Sequence, residues 1–454
     1  MSFPTTMTPL NADAAHALLR DALHDRIVGA VVGSALGDAI GLYTEFLSAA
    51  KAAEAYPSGT FTLAAPAPTP FKLDTHRAAK EPGHWTDDTD HALLLLLSFL
   101  HTAKTAPPSA SSSSSSSSSP EDHTPPPLPT TLDFAARLRV WVSQGLRALD
   151  TMPLGLGRLV STVVASKGFD KEPARVAREY WVRTGKRIAP NGSIMRTHPL
   201  GLMCVTGRSE AEAYALAADM SRATHADPRC VVACVLATAL VRAVARGEVR
   251  SEAELDACLA RGTDWFLGQP GGEGNSAEDI AAEELDLAEL QRHISSAATF
   301  DSLQLDDPPA IGYVYKTLGS GVVLLRLAIR QNAANQHALQ SRVKMFETLV
   351  TDLIMRGGDA DTNACFAGAL LGAYLGYKAL PDHWKHGLLH GDWLLGKAEA
   401  LSQVLGLKDG QYDGQQDKDT YLDGGRGEVS QHEMEGRWMV LQQTAFKKVE
   451  DASK

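Results

Sequence analysis

The amino-acid sequence predicts an all-α protein, built as a single large domain of orthogonally packed helices. Its 454 residues are 44% apolar but only 6% aromatic, and alanine and leucine, both good helix formers, are abundant. Apolar residues recur at helical spacing through most of the chain. Runs of β-branched residues do not recur at the spacing of strands and turns. These three observations favour helix over strand throughout the core.

The first predicted helix spans residues 25–41 and carries glycines four residues apart. They are Gly29, Gly33, Gly37 and Gly41. Residues four apart share one helical face, so the glycines form a stripe that a neighbouring helix can approach closely. A second stripe consists of Gly368, Gly372 and Gly376. We interpret both stripes as close packing in the core.

Further helices are predicted wherever apolar residues repeat every three to four positions. They span residues 89–99, 132–149, 210–220, 229–246, 312–331 and 338–354. Beyond Arg437 the chain mixes apolar and polar residues, which predicts one more helix that returns to the body of the protein.

Three segments differ from this helical pattern in composition. Residues 103–130 are rich in serine and proline and cannot bury enough apolar area to fold, so we predict a disordered loop there. Glycines at 268–276 predict a flexible insertion. A polar extension, partly helical, is expected at 408–454. The main domain therefore covers residues 20–407.

Charge and hydropathy limit the partners and the location. A net charge of -11 argues against a broad basic surface for nucleic acid or anionic lipid. The longest apolar runs, 27–36 and 230–241, are shorter than the roughly 20 residues that span a bilayer. The N-terminus lacks the features of a secretory signal. We expect a soluble, intracellular, cytoplasmic monomer, with the nucleus and the mitochondrion left open.

The five cysteines are widely spaced and mostly embedded in apolar helical sequence, which predicts free, buried thiols. They are Cys204, Cys230, Cys234, Cys258 and Cys365. Their spacing does not match that of zinc ligands.

Two acidic clusters lie where a loop meets an apolar helix: WTDDTD at residues 85–90 and RGGDADT at 356–362. Capping a helix needs one Asp or Thr, whereas each cluster has a pair of aspartates beside a hydroxyl, Asp87 with Asp88 and Asp359 with Asp361. Oxygen ligands of this kind suit Mg²⁺ or Mn²⁺. Like charges about 4 Å apart repel by roughly 4 kcal/mol per pair at an effective dielectric near 20. Four gathered carboxylates therefore favour two divalent ions, provided that the clusters meet in space.

Three weaker segments accompany these clusters. The first predicted helix ends with Asp38 and is followed by Glu45. In the loop NGSIMRTHPLG, backbone N–H groups near Gly192 and Ser193 could meet a phosphate. His225 lies in a turn, where a lone histidine is more often a capping or core residue than a functional one.

In this order the segments resemble the ADP-ribosylglycohydrolase family, also called ADP-ribosyl-acceptor hydrolases. The family includes the bacterial enzyme that reactivates dinitrogenase reductase. The resemblance runs from about Asp25 to Leu407, without the serine-rich loop and much of 245–305, and WTDDT combined with GGDxDT is its most specific part. It implies an all-α fold with a two-magnesium cleft, in which Mn²⁺ could substitute.

The resemblance also assigns residues by position. Metal ligands would be Thr86, Asp87, Asp88, Asp359, Asp361 and Thr362. Catalytic residues would be Asp87, Asp88 and Glu45, the last on a flap that covers the site in some relatives. Contacts to ADP-ribose would come from Asn191, Gly192, Ser193, His225 and Gly358. Asp90, His91 and Asn363 depart from the residue types usual in the family.

The expected function is magnesium-dependent hydrolysis at the anomeric carbon of the distal ribose, removing ADP-ribose from modified protein side chains. A carboxylate would help to take the proton of the attacking water. Two alternatives stay open. One is hydrolysis of a small molecule such as ADP-ribose 1''-phosphate or its cyclic phosphate. The other is a non-catalytic relative that only binds ADP-ribose.

Overall fold

The computed structural model describes residues 12–103, 125–268, 285–334 and 338–452. Within these ranges the chain forms helices and no strands, and extended pairing is limited to two isolated bridges, Ser48 with Gly357 and Pro190 with Tyr313. The all-α prediction is confirmed. The predicted loop at 103–130 and the insertion at 268–276 fall mostly outside the described residues.

The α-helices of the described residues are, in chain order, α1 (Ala12–Gly41), α2 (Ala49–Ala55), α3 (Asp87–Thr102), α4 (Thr131–Gln144), α5 (Arg158–Ala165), α6 (Pro173–Arg183), α7 (His198–Met203), α8 (Glu210–Arg222), α9 (Pro228–Ala245), α10 (Glu252–Leu267), α11 (Leu287–Ile294), α12 (Val314–Ala334), α13 (Leu339–Ile354), α14 (Ala360–Leu375), α15 (Asp382–Lys385), α16 (Gly391–Val404) and α17 (Gln431–Ala452). All the predicted helices are present. Among the helices not predicted are short amphipathic ones such as α5, whose apolar repeat is only about two turns long.

Glycine ends two helices, one of them earlier than the sequence suggested. The helix expected over 132–149 ends at Gln144, because Gly145 adopts a φ of 75° that leaves the helical region. Gly376, placed in the second glycine stripe, is the residue that ends α14, with a φ of 84°. The predicted end of the helix over 132–149 was therefore wrong, and Gly376 lies at the end of its stripe instead of inside a helix.

Two other helices begin earlier than predicted. The first helix, α1, begins at Ala12 instead of residue 25, and α17 begins at Gln431 instead of beyond Arg437. The residues added to α1 are largely Ala and Leu but mostly exposed, and those added to α17 are mostly polar, so neither stretch adds much to the buried apolar face.

The two glycine stripes pack against each other and join α1 to α14 in antiparallel orientation. Gly29 lies beside Gly372, and Gly41 lies beside Asp361. A Cβ atom added to Gly33 would stand 2.6 Å from the carbonyl oxygen of Gly368, so the two backbones are in contact. The predicted close packing is confirmed. Its consequence is that the end of α1 lies beside the start of α14.

Replacing Gly33 with alanine is expected to lower the free energy of unfolding by about 3 kcal/mol, because the added methyl group forces two backbones apart. Urea denaturation of the purified variant measures the change. Gly396 provides a matched control, because it is a helical glycine with open space around its Cβ position. Gly396→Ala should stabilise the protein by up to about 1 kcal/mol. Equal effects of the two substitutions would contradict the packing argument.

The core surrounds this helix pair. All five cysteines are buried and free, as predicted. In the described part of the chain one helix, α9, is long and apolar enough to cross a membrane, but 94% of it is buried inside the protein. It packs against several neighbours, including α7, α8 and α10. Its apolar character is that of a core helix.

His198, in α7, is buried against α1, and burial lowers its pKa to about 3. An unfolded histidine binds a proton near pH 6.5, so the unfolded state holds one more proton between pH 6.5 and 3, and stability is lost as the pH falls through this window. Protonation of His198 in the unfolded state is expected to lower the free energy of unfolding by about 2 kcal/mol at pH 5 relative to pH 7. Urea denaturation at both values should therefore show a smaller decrease for His198→Gln than for the wild type.

The exposed His432 provides the control, since His432→Gln should leave the decrease unchanged. An equal decrease in the wild type and in His198→Gln would contradict the assignment.

Candidate active site

Three helix ends converge at the candidate site: the end of α1 and the starts of α3 and α14. Asp38, in the last turn of α1, is fully buried. Its carboxylate accepts hydrogen bonds from the backbone N–H groups of Thr86 and Thr89, each at 3.0 Å, and from the Thr89 hydroxyl at 2.5 Å. Asp38 thereby fixes the first acidic cluster to the end of α1.

The two acidic clusters meet in space. The Thr362 hydroxyl donates to Asp88 Oδ1 at 3.1 Å, across 274 residues of sequence. Six side chains of types that can ligate a metal form two groups, in each of which the potential ligand atoms lie within 4.8 Å of one another: Glu45, Asp359 and Asp361 in one, and Asp38, Asp88 and Cys365 in the other. The two clusters therefore lie in contact, which is the condition on which the metal prediction depends.

Helix capping accounts for only part of the two acidic clusters. Thr86 is the N-cap of α3, and its side chain accepts from the backbone N–H of Asp88 at 3.3 Å. Asp359 occupies the N-cap position of α14 but makes no side-chain cap hydrogen bond. Asp87 is partly exposed, and its Oδ1 lies against Gly155, which leaves no room for a Cβ atom there. These two aspartates are therefore free for another role.

The carboxylates lie close together in a largely buried site. When no cation is bound, both features disfavour the charged form of these groups. Burial raises the pKa of Asp87, Asp88 and Asp361 well above the usual range of a carboxyl group, and neighbouring carboxylates raise it further, although the charge of Lys80 opposes the rise at Asp87. Burial and the charge of Glu45 also raise the pKa of Asp359. Bound divalent cations would supply the missing positive charge and reverse these shifts.

Two carboxylate oxygens in this site have no hydrogen-bond partner among the described residues. They are Asp88 Oδ2 and Asp361 Oδ1, one from each cluster, and both are buried. A buried acceptor without a partner is costly, and such atoms are rare in proteins. Two free oxygens among carboxylates and hydroxyls fit the ligand preference of Mg²⁺. Burial raises the pKa of Cys365 well above its usual value, so this residue stays a neutral thiol and a poor ligand.

Glu45 lies on the segment that follows α1. It is buried, and its Oε2 is 2.5 Å from Nε2 of His76. Arg77, also buried, holds this segment by donating from Nε to the Leu42 carbonyl at 2.9 Å and from its terminal nitrogen to the Glu45 carbonyl. Phe46 follows with a φ of 59°, is 53% exposed, and packs edge-on against His76. Glu45 is thus fixed inside the site while Phe46 stands at its rim.

Gly358 connects this segment to the second acidic cluster. Its N–H donates to the Leu47 carbonyl at 2.9 Å, and its carbonyl accepts from the Phe46 N–H at 2.6 Å. Its φ is 75°, and a Cβ atom would collide with the backbone of Leu305. Gly358, expected as a substrate contact, holds Glu45 close to Asp359 in this structure.

The other expected substrate contacts take different positions. Asn191 reaches the site, and its Nδ2 donates to Asp359 Oδ2 at 2.9 Å. Ser193 is buried and its hydroxyl accepts from the Cys234 thiol at 3.3 Å, so it points into the core. His225 is buried, its ring lies next to Gly192, and its Nδ1 is 2.7 Å from the Thr224 hydroxyl. His225 therefore packs against the Asn-Gly loop on its buried side.

Burial lowers the pKa of His225 well below its usual value, and the nearby Arg196 and His91 lower it further. The ring is therefore neutral at physiological pH.

The unusual residues of the two motifs are structural. Asp90 accepts from the indole N–H groups of Trp85 and Trp141, both at 2.8 Å, and ties α3 to α4. Asn363 accepts from the Thr317 hydroxyl at 2.7 Å. The same hydroxyl accepts from Asn191 Nδ2 at 3.1 Å, so Asn363 belongs to the network that holds the second cluster.

Sequence reasoning did not assign Asp38 and His76 to the site. Asp38 had a signal, because it is a single carboxylate among small and apolar residues at the end of α1. His76 had none, because it lies in a loop of mixed composition.

Comparisons with known proteins agree with this geometry. The family model described as ADP-ribosylglycohydrolase matches residues 19–411. A solved structure described as "ADP-ribosylglycohydrolase-related protein complex" has the same fold at 22% identity, with a TM-score of 0.50 over 85% of this chain and 99% of that one. None of the curated proteins matches the chain. The chain therefore belongs to the ADP-ribosylglycohydrolase family and is a glycosidase-type hydrolase.

Proposed function

We propose that this protein is a magnesium-dependent hydrolase that cleaves the bond at the anomeric carbon of the distal ribose and releases ADP-ribose from modified protein side chains. One observation carries the proposal. Two distant acidic clusters converge, and each presents a buried carboxylate oxygen without a partner, on Asp88 and on Asp361. Positive ions would stabilise this arrangement. Without them, buried carboxylates that lack partners lower the stability of the fold, so a purely structural role is a poor explanation for them.

Two magnesium ions would be held by the carboxylates and hydroxyls of the two motifs. These are Thr86, Asp87, Asp88, Asp359, Asp361 and Thr362. When bound, such ions polarise substrate oxygens and lower the pKa of water. Mn²⁺, with similar ligand preferences, is the expected substitute.

The protein's own residues supply the proton transfer and the charge stabilisation. Asp87 is partly exposed beside Gly155, so it can reach an entering water molecule and accept its proton. Glu45 lies among the second-cluster carboxylates and offsets the positive charge that develops on the ribose ring. Asn191 donates to Asp359 and keeps that carboxylate oriented.

The rim of the site favours a large leaving group over a small one. Phe46 is 53% exposed directly beside the buried Glu45, so this edge of the site borders solvent. A site that borders solvent can accept a side chain that is still attached to a protein. A small phosphate leaving group would not require it.

A substrate panel tests the proposal. ADP-ribosyl-arginine peptide, ADP-ribosyl-serine peptide and ADP-ribose 1''-phosphate would be incubated with the protein, with Mg²⁺ and with EDTA, and free ADP-ribose would be quantified. We expect release from a peptide only when Mg²⁺ is present. Release from the phosphate alone would replace the protein substrate with a small molecule. Calorimetric binding of ADP-ribose without turnover of any substrate would indicate a non-catalytic binder.

A further inference from the structure

A second concentration of charge surrounds a cavity of about 380 Å³ at the opposite end of the α1–α14 pair. Its polar lining residues are Arg26, Arg250, Arg342, Asn332 and Tyr374. The volume lies within the range of about 300–1,000 Å³ that is typical of small-molecule sites. The catalytic proposal does not use any of these residues.

The cavity is well separated from the acidic clusters. Arg26 precedes Asp38 by twelve residues on α1, and Tyr374 follows Asp361 by thirteen residues on α14. At 1.5 Å per residue, either helix places the cavity about 18–20 Å from the carboxylates. A ligand bound in the cavity would form a site of its own.

The three guanidinium groups keep most of their donors available. Each donates to a backbone carbonyl: Arg26 to Ala245 at 3.3 Å, Arg250 to Gly247 at 2.8 Å, and Arg342 to Leu375. In the described ranges no carboxylate lies within ion-pair distance of any of the three. Because a guanidinium has five N–H donors, several remain for a ligand.

The nearest carboxylates are engaged elsewhere. Asp25 accepts from the backbone N–H of Lys378 at 3.2 Å, and Glu254 accepts from the backbone N–H groups of Arg250 and Ser251 at 2.7 and 2.9 Å. Burial lowers the pKa of Arg26, and the charges of the other two arginines lower it further, although Asp25 acts in the opposite direction. Three guanidinium groups therefore face two nearby carboxylates, neither of which is within ion-pair distance, and a net positive charge remains in the cavity.

The neutral polar side chains of the cavity, Asn332 and Tyr374, also favour an anionic ligand. Asn332 donates from Nδ2 to the Tyr374 hydroxyl at 3.1 Å, which leaves the hydroxyl proton of Tyr374 available to a ligand oxygen. A planar guanidinium group can donate two parallel hydrogen bonds to the oxygens of one phosphate. Three guanidinium groups offer more donors than a single phosphate requires.

We propose that this cavity binds a small anion carrying two or more phosphate groups, such as pyrophosphate or a nucleoside diphosphate. The protein as a whole has a net charge of -11, so the positive charge of this cavity is a local feature and not part of a broad basic surface. A cavity of this size also holds more than a single phosphate. The site is independent of the catalytic function proposed above.

Isothermal titration of the full chain with inorganic pyrophosphate in metal-free buffer tests this proposal, because without metal the carboxylates of the active site repel the anion. We expect Arg250→Ala and Arg342→Ala each to raise the Kd at least about tenfold, because each removes charge-assisted hydrogen bonds. Arg250 is exposed in the loop before α10, so its removal leaves the fold intact. Arg20→Ala is the matched control: Arg20 lies on α1 but is exposed and paired with Asp409, and its loss should leave the Kd unchanged.

Three results would overturn the proposal. The first is that pyrophosphate does not bind the wild-type chain. The second is that it binds the two arginine variants as tightly as the wild type. The third is that tetraglutamate binds as tightly as pyrophosphate, which would assign the cavity to carboxylates instead.

Discussion

Asp361→Ala is expected to lower kcat/KM on the responsive ADP-ribosylated substrate by at least about 1,000-fold, equivalent to about 4 kcal/mol of transition-state stabilisation. Asp361 is buried in the group that also contains Glu45 and Asp359, and its Oδ1 has no partner among the described residues. Removing it would take away one of the proposed metal ligands. Initial rates at saturating Mg²⁺ measure the effect, and Asp87→Ala should produce a similar loss.

Circular dichroism should show that both variants keep their helices, because the substitutions relieve repulsion between carboxylates instead of removing packed apolar groups. Asp382→Ala is the control. Asp382 also lies at the start of a helix, but it is exposed and paired with Lys385 at 2.9 Å, so its loss should not affect turnover. Full activity of either active-site variant without added metal would refute the metal-centred proposal.

Magnesium is expected to increase the stability of the wild-type protein. A ligand that binds only the folded state at 100 times its Kd contributes about 2.7 kcal/mol per site. Without the ion, buried like charges oppose folding, as shown by the raised pKa of Asp88 and Asp361, for which burial is the main cause. Thermal unfolding in EDTA and in millimolar Mg²⁺ should therefore show a large increase in Tm.

Asp361→Asn separates this effect from general salt stabilisation. In EDTA the variant should be more stable than the wild type, because it removes a buried charge while keeping the side-chain shape. In Mg²⁺ it should lose most of the increase in Tm, whereas Asp382→Asn should keep it. Equal magnesium-dependent increases in the wild type and in Asp361→Asn would show that the ions do not bind at this site.

Local sequence features predicted the helices well where the apolar repeat was long. The helices α9, α12 and α13 are each at least four turns long, and each was expected within a few residues of its observed bounds. Short helices such as α5 and α15 carry one or two turns of pattern, and their stability depends on neighbours that are distant in sequence. They could not be predicted from periodicity.

Side-chain direction was also beyond sequence reasoning. Ser193 and His225 lie in segments that resemble substrate-contacting ones, yet Ser193 points to Cys234 and His225 is buried behind Gly192. Asn191, from the same loop as Ser193, turns towards Asp359 instead. These residues differ in role because their neighbours come from α9 and α14, which the local sequence does not specify.

What the sequence determined by itself was the chemistry of the parts: helices with glycine stripes, two acidic motifs with hydroxyls beside them, and a family resemblance that the motifs carried. Only the tertiary structure decided that Asp88 and Thr362 touch, that Asp38 joins the first motif to α1, and that three unpaired arginines surround a distant cavity. The physical reason is that residue type and periodicity act over a few turns of helix. Contacts between residues hundreds of positions apart depend on how close two backbones can approach, and in this protein the glycines of α1 and α14 set that distance.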